Sequence, residues 1–295
     1  MITPQQARHV VTDRSRLIPL LLAFAGYAFA GLTVPLLLLF AGGWWLPKTV
    51  DEGPHLSTGP SIVINVVLLA LFGLQHSGMA RPAFKAFVTR RVPAALERTL
   101  YVTMASLAVW VLCLGWQPLP YRIWSTDGVV GTVLDGGFWL GVALVYAATL
   151  LLNHFYLLGL SQAYRAYVTR VPGVTVDRLQ VHGPYRLVRH PLMTGLLFCF
   201  WCASTFTAGH LLWAGGLTGY ILLGTFLEER DLIARFGTAY RAYAAQVPAF
   251  FPKLRSSVTV VDTDRAERCC EATGASALSG LRQPRAGTCG WRKTA

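Results

Sequence analysis

Charged side chains are scarce in this chain of 295 residues: only 14% of its positions are Asp, Glu, Lys or Arg, while 54% are hydrophobic. Soluble domains usually carry about 25% charged residues. The composition therefore excludes an ordinary water-soluble protein and predicts an integral membrane protein. Acidic residues are fewer than basic ones, with 14 Asp and Glu against 26 Lys and Arg, so the net charge is +12.

Two kinds of cofactor signal are also missing. The six cysteines show no metal-ligand spacing, and Cys199-x-x-Cys202 lies inside an apolar stretch, where such a pair more often packs than binds metal. No G-x-G-x-x-G loop follows a strand, which disfavours a dinucleotide site of the Rossmann type. We expect no metal.

What the chain does have is a series of apolar stretches that approach the roughly 20 residues needed to cross a bilayer. Six can be read, and they predict an all-α, polytopic transmembrane bundle: residues 17–45, 61–75, 99–116, 138–160, 192–207 and 211–227. The spacing Gly215-x-x-x-Gly219 in the last stretch predicts close packing on the fifth span. The intervening segment 117–137 is expected to be a plain connector.

The basic residues alternate between loops. All of the 26 Lys and Arg except Lys48 and Arg122 fall on one side of the six predicted spans. Basic loops stay in the cytoplasm, so we expect both termini to be cytoplasmic and the protein to lie in the plasma membrane. Topology accounts for the positive charge, and a nucleic-acid partner is not needed. The oligomeric state stays open.

Two regions of different composition divide the chain. Residues 1–252 form the predicted membrane core. Residues 253–295 are rich in small and polar residues and contain one aromatic residue, Trp291. Such a segment buries too little apolar surface to offset its ordering entropy. We therefore expect a disordered cytoplasmic tail.

Ionisable residues collect at the edges of the last two apolar stretches. One run, residues 181–195, holds two Arg, two His and a Tyr, and Glu228-Glu229-Arg230-Asp231 closes the next stretch. Charged groups at the rim of hydrocarbon are functional candidates. Arg suits a carboxylate, Glu suits an ammonium, and an aromatic face suits a sulfonium cation. S-adenosylmethionine presents all three groups. The alternative interpretation is interfacial anchoring.

These segments also carry a family resemblance. The runs His182-Gly183-Pro184-Tyr185-Arg186-x-x-Arg189-His190-Pro191 and Glu228-Glu229-x-x-Leu232…Phe236-Gly237-x-x-Tyr240-x-x-Tyr243 resemble the cofactor motif of isoprenylcysteine carboxyl and phospholipid methyltransferases. The resemblance implies a cytoplasmic C-terminal segment that binds S-adenosylmethionine. Its implied contacts are His182, Gly183, Tyr185, Arg186, Arg189, His190, Glu228, Glu229 and Tyr240.

A second resemblance lies in the first half of the chain. Phe72-Gly73-Leu74-Gln75-His76-Ser77 and the following Met79-Ala80-Arg81-Pro82 are similar to the NnrU-like branch, and within it to bacterial enzymes that methylate methanethiol to dimethyl sulfide. The resemblance implies a small thiol as the methyl acceptor, reached among the helices and the membrane lipid.

Transfer to a thiol requires its thiolate, so a base near the acceptor helps. His76 and His154 stand at span ends and are the candidate bases, with Arg81 as a nearby cation. His9, His55 and His210 are expected at the surface.

Two alternative functions stay open. The first is methylation of a lipid or of a prenylated cysteine carboxylate. The second is a non-enzymatic NnrU-type protein of nitrogen-oxide metabolism that binds haem through His76 or His154.

Overall fold

The computed structural model describes residues 4–169, 179, 181 and 183–252, with side chains from residue 17 onwards except that of residue 169. His182 and the predicted tail, 253–295, lie outside the described residues. Within them the chain forms ten α-helices, one 3-10 helix and two strands: α1 (Pro4–Gly42), α2 (Thr58–Ala80), α3 (Pro82–Val88), α4 (Ala94–Gly115), β1 (Arg122–Ser125), α5 (Gly128–Leu151), α6 (His154–Leu157), α7 (Leu160–Thr169), the 3-10 helix (Gly183–Arg186), α8 (Pro191–Trp201), β2 (Thr205–Thr207), α9 (Ala208–Phe236) and α10 (Thr238–Gln246).

The predicted all-α membrane bundle is confirmed. Five of the described helical segments are long and apolar enough to cross a bilayer: Leu17–Gly42, α2, α4, α5 and α9. Large apolar side chains point outwards from them, among them Leu74, Val129 and Phe226. Exposing such side chains to lipid carries no hydrophobic penalty, whereas exposing them to water does. The chain is therefore a multi-pass membrane protein.

The predicted fifth span, 192–207, is not one long helix. Helix α8 has only 11 residues and extends about 16 Å at 1.5 Å per residue, roughly half of the hydrocarbon thickness. The chain then enters β2, which pairs antiparallel with β1. The rings of Trp124 and Phe206 stack 4.0 Å apart across this pair. The segment 117–137 is therefore more than a plain connector, because β1 lies within it.

Glycines bring α5 and α8 into close contact. A Cβ atom on Gly141 would lie 2.7 Å from the carbonyl oxygen of Gly195, and one on Gly195 would lie 2.7 Å from that of Gly141. Only glycine allows this backbone approach. The prediction for Gly215 and Gly219 is wrong: both are exposed, and a Cβ on either would meet nothing within 4 Å.

The core contains large aromatic residues and a buried histidine that is hydrogen-bonded to a carboxylate. The rings of Trp116 and Trp213 meet edge to face 5.1 Å apart, and both are fully buried. His210 is also fully buried, with Nδ1 2.9 Å from the Asp51 carboxylate and Nε2 2.9 Å from the carbonyl oxygen of Phe200. Thr207 donates its hydroxyl to Asp51 at 2.6 Å. The prediction that His210 lies at the surface is wrong, because its partner is 159 residues away.

Candidate active site

A cavity of about 330 Å³, the polar cavity, lies at the end of the bundle opposite Asp51 and His210. Its volume falls in the range of small-molecule sites. Apolar and ionisable side chains share the wall: Leu152, Leu157, Leu179, Tyr185, Arg189, His190, Pro191, Leu192, Met193, Glu228, Leu232, Phe236, Tyr240 and Tyr243. The structure thus brings together the two polar clusters that the sequence separates by about 40 residues.

Backbone pairing sets the position of the first cluster. The N–H groups of Arg189 and His190 donate to the carbonyl oxygens of Pro248 and Ala249, at 2.8 and 3.1 Å. Helix α8 then begins at Pro191, where a missing N–H costs nothing. The chain before α8 is therefore held against the chain after α10, and both side chains face α9.

The guanidinium of Arg189 is fully engaged within the protein. Its Nε donates to the Glu229 carboxylate at 2.8 Å, and Nη2 lies 2.7 Å from the same oxygen. Nη1 donates to the carbonyl oxygens of Ala244 and Val247. Arg189 therefore ties α9 to the end of α10. The sequence predicts Arg189 as a ligand contact, whereas the geometry supports a positioning role.

His190 lies between two carboxylates. Its Nε2 is 3.0 Å from Glu229, and its Nδ1 is 3.6 Å from Glu228. The His190 side chain is buried, while about half of the Glu228 side chain stays exposed. Glu229 is occupied by Arg189 and His190. Glu228 has only the longer contact, so its carboxylate is the acid that a ligand in the polar cavity can reach.

Tyrosines also line the polar cavity. The hydroxyl of Tyr240 is buried and has no hydrogen-bond partner of acceptable geometry, although the residue is only 1% exposed. Burial raises its pKa to about 12, and the Glu229 carboxylate adds to the rise. Burial, with Glu228 nearby, raises the pKa of Tyr185 to about 12. Both hydroxyls are therefore neutral donors, and that of Tyr240 still lacks an acceptor.

Two further residues of the motif stand at the edge. Gly183 has a φ of +60° and opens the 3-10 helix, and a Cβ there would lie 3.1 Å from the Leu151 side chain. Arg186 ends that helix with an exposed side chain and does not line the polar cavity. It directly follows Tyr185, which is part of the cavity wall.

His76 lies outside the polar cavity, in a cluster of hydroxyl groups. Its Nδ1 is 2.8 Å from the Tyr220 hydroxyl, and its Nε2 is 3.1 Å from the Tyr101 hydroxyl. The Ser77 hydroxyl lies 3.1 Å from that of Tyr220. Both ring nitrogens can therefore exchange protons with a neighbouring hydroxyl group.

His154 and Arg81 occupy different surroundings. The His154 ring meets Tyr27 edge to face at 5.5 Å, and its Nδ1 is buried without a partner. Arg81 ends α2, where its backbone N–H donates to the carbonyl oxygen of Gly78, and it is also the N-cap residue of α3. Neither residue lines the polar cavity.

Arg98 connects the His76 cluster with the polar cavity. Its guanidinium lies 5.2 Å from the centre of the Tyr101 ring, and its Nε donates to the carbonyl oxygen of Leu157 at 2.9 Å. Leu157 is part of the cavity wall. Among the described residues, no group of three or more His, Cys, Asp or Glu side chains is placed to hold a metal ion.

Comparison with known proteins shows the family. Residues 64–240 match the NnrU protein family. The chain belongs to the NnrU family. It is 40% identical over 242 residues to methanethiol S-methyltransferase 2 of Bradyrhizobium diazoefficiens, with 81% of this chain and 92% of that protein covered.

Two other relatives are similar. The methanethiol S-methyltransferase of Mycobacterium tuberculosis is 44% identical over 214 residues, with 72% of this chain and 87% of the relative covered. That of Pseudomonas deceptionensis is 41% identical over 216 residues, with 72% and 81% covered. No solved structure matches the chain.

The NnrU match includes His76, its tyrosine neighbours and the polar clusters as far as Tyr240. Sequence reasoning missed the role of Tyr220 in this region. A signal was available: Tyr220 precedes Glu228 by about two turns, which places both on the same face of α9. The partnership with His76 could not be read in this way, because it joins residues 144 positions apart.

Proposed function

We propose that this NnrU protein transfers a methyl group from S-adenosylmethionine to the sulfur of methanethiol or a similar small thiol, and so forms dimethyl sulfide. The relatives' names supply the reaction. The observation that supports it in the structure is the polar cavity, in which an accessible acid, aromatic rings and an unpartnered donor face one volume.

The residues present fit S-adenosylmethionine. Glu228 suits the ammonium, and the rings of Tyr185 and Tyr240 suit the adenine or the sulfonium through cation–π attraction. The buried Tyr240 hydroxyl lacks an acceptor, which a bound ligand can provide. Arg186 at the rim takes the carboxylate, since Arg189 is committed to Glu229 and to two backbone carbonyl groups.

When bound, the cofactor supplies an electrophilic methyl group on a positively charged sulfur. The thiolate sulfur forms a bond to that carbon as the bond from carbon to the cofactor sulfur breaks. The thiol proton must leave first, because the thiolate is the nucleophile. His76 acts as the base that accepts this proton, which reaches it through the hydroxyl of Tyr101 or Tyr220.

His76 is favoured over His154 by its surroundings. Hydroxyl groups contact both of its ring nitrogens, whereas His154 packs against Tyr27 and Phe155. Arg98 lies between the His76 cluster and the polar cavity. It adds positive charge near the acceptor, where a thiolate develops. Arg81 has the weaker case, because its described contacts are those of a helix cap.

Headspace gas analysis of cells or purified protein supplied with S-adenosylmethionine and methanethiol tests the function. Wild type should form dimethyl sulfide. His76→Ala should lower the rate about 10²–10⁴-fold, the usual contribution of a general base, with cofactor affinity unchanged. His154→Ala is the matched control and should keep most of the activity. Wild-type rates in both variants would remove histidine from the mechanism.

The alternatives are not favoured. A lipid or prenylcysteine acceptor would give product from those substrates and no dimethyl sulfide from methanethiol. A non-enzymatic haem protein would show a Soret band after purification and no methyl transfer. The names of the relatives point to methanethiol instead.

We infer from the basic loops that the polar cavity faces the cytoplasm, where S-adenosylmethionine is made. The bacterial relatives support a bacterial inner membrane as the location. The match to the family ends at residue 240, which supports our proposal that residues 253–295 form a dispensable tail. Truncation after Arg255 should leave the rate of dimethyl sulfide formation within a factor of a few. A collapse of activity in a folded, inserted protein would contradict this boundary.

A further inference from the structure

A second cavity, the lateral cavity, lies between α2 and α4 and has a volume of about 220 Å³. Its wall is apolar except for one amide: Leu68, Leu71, Phe72, Gln75, Met104, Leu107, Ala108, Val111 and Leu112. The side chains of Leu71, Leu107 and Val111 are 46–56% exposed. In a membrane they face lipid, so the lateral cavity opens sideways into hydrocarbon.

The one amide in this wall is incompletely bonded. Gln75 Nε2 lies 3.0 Å from the Met79 sulfur, while Gln75 Oε1 is buried and has no hydrogen-bond partner among the described residues. A buried acceptor without a partner is costly. The lateral cavity thus combines an apolar wall with one unused acceptor, which suits an apolar molecule that carries a single weak donor.

The lateral cavity adjoins the His76 cluster. Phe72 lines the cavity, and its ring centre lies 5.5 Å from that of His76. Gln75 directly precedes His76 on α2, and Met104 follows Tyr101 by about one turn on α4. A ligand in the lateral cavity is therefore held beside the hydroxyl groups that contact both nitrogens of the imidazole.

We propose that the lateral cavity binds the thiol acceptor, a short alkanethiol taken from the lipid, before methyl transfer. The S–H group is a weak donor and meets Gln75 Oε1, while the alkyl group contacts leucine and phenylalanine side chains. A charged or strongly polar acceptor is excluded, because the wall offers no partner for its charge. This assignment rests on the proposed function.

The test fills the cavity in the otherwise intact protein. Ala108→Phe places a ring in the lateral cavity and should raise the KM for methanethiol roughly tenfold or more, since a misfit of even one methylene group in an apolar pocket costs about tenfold or more. The dissociation constant for S-adenosylmethionine should stay at its wild-type value. Ala70→Phe makes the same substitution on the exposed face of α2 and should change neither constant.

A second variant enlarges the cavity. Met104→Ala should raise the turnover of 1-butanethiol relative to that of methanethiol several-fold, a gain that a loss of folding cannot produce. Gln75→Leu should raise the KM for methanethiol with unchanged cofactor binding.

An unchanged KM in Ala108→Phe, or an equal rise in Ala70→Phe, would show that lipid fills this groove and that the acceptor binds elsewhere. Wild type that binds S-adenosylmethionine but forms no dimethyl sulfide would instead overturn the proposed function, and this inference with it.

Discussion

Each end of the bundle holds a histidine against a carboxylate, and the two pairs differ in what surrounds them. At the polar cavity, His190 lies 3.0 Å from Glu229. At the opposite end, His210 lies 2.9 Å from Asp51. Both histidines are buried, and both pairs join residues that are distant along the chain.

The opposite end satisfies its polar atoms internally. Asp51 accepts from Thr207, and His210 uses its second ring nitrogen on the carbonyl oxygen of Phe200. At the polar cavity, the Tyr240 hydroxyl lacks a partner and Glu228 keeps an exposed carboxylate. A histidine–carboxylate pair therefore stabilises the fold where the protein encloses it. The same kind of pair forms part of a ligand site where a cavity and unused polar atoms lie beside it.

The largest expected effect concerns the enclosed pair. Asp51→Ala leaves the buried His210 Nδ1 and the Thr207 hydroxyl without their acceptor. Each buried polar group left unsatisfied costs about 1–3 kcal/mol, so we expect the free energy of unfolding to fall by about 2–6 kcal/mol. Denaturant titration in detergent measures it, with Glu52→Ala at the exposed neighbouring position as the control. The dissociation constant for S-adenosylmethionine in the folded fraction should not change. Equal losses in both variants would show that the Asp51–His210 pair does not hold this end together.

The next effect is on affinity at the polar cavity. Glu228→Gln removes the accessible carboxylate and should weaken S-adenosylmethionine binding about 10- to 100-fold, the range for a hydrogen bond to a charged group. Calorimetry on purified protein checks this. Asp231→Asn neutralises an exposed acid one turn away on α9 and should bind like wild type. If Asp231→Asn weakens binding equally, net charge rather than a contact decides affinity.

A smaller effect is expected at the unpartnered hydroxyl. Tyr240→Phe removes a buried hydroxyl that has no hydrogen-bond acceptor. The free energy of unfolding should therefore be at least as high as in wild type. Binding of S-adenosylmethionine should weaken about 2- to 10-fold, the value of one neutral hydrogen bond. Tyr243→Phe provides the contrast, because its hydroxyl donates to the Tyr185 carbonyl oxygen at 2.6 Å, and it should lower stability instead. The reverse pattern would place the ligand away from Tyr240.

A further effect is a dependence of stability on alkaline pH. An unfolded tyrosine ionises near pH 10, whereas the pKa of Tyr185 and that of Tyr240 are about 12 in the folded protein. The folded state therefore binds more protons between these values, and stability falls as the pH rises from about 10 to 12. Unfolding titrations at several pH values measure the slope, which Tyr240→Phe should reduce. An unchanged slope would mean that this hydroxyl titrates normally.

Much of the architecture could be predicted from local pattern. Apolar length predicts the membrane bundle, and the ionisable residues at span edges correctly predict that Arg189, His190, Glu228 and Glu229 meet. These are properties of single segments, and a bilayer leaves few other ways to place them. The prediction of a continuous fifth span was wrong because α8 ends at Trp201. The chain beyond it is held by the pairing of β2 with β1 and by the stacking of Trp124 on Phe206.

The sequence by itself determined that this is a multi-pass membrane protein with a cluster of charges at the end of its last helices, since composition and periodicity are local. Only the tertiary structure decided how those charges are used. Arg189 binds Glu229 and backbone carbonyl groups, while Glu228 and Tyr240 face a cavity. His210 is buried against Asp51, and Tyr220 contacts His76. Such partnerships depend on which helix faces touch, and packing between residues more than a hundred positions apart sets those contacts.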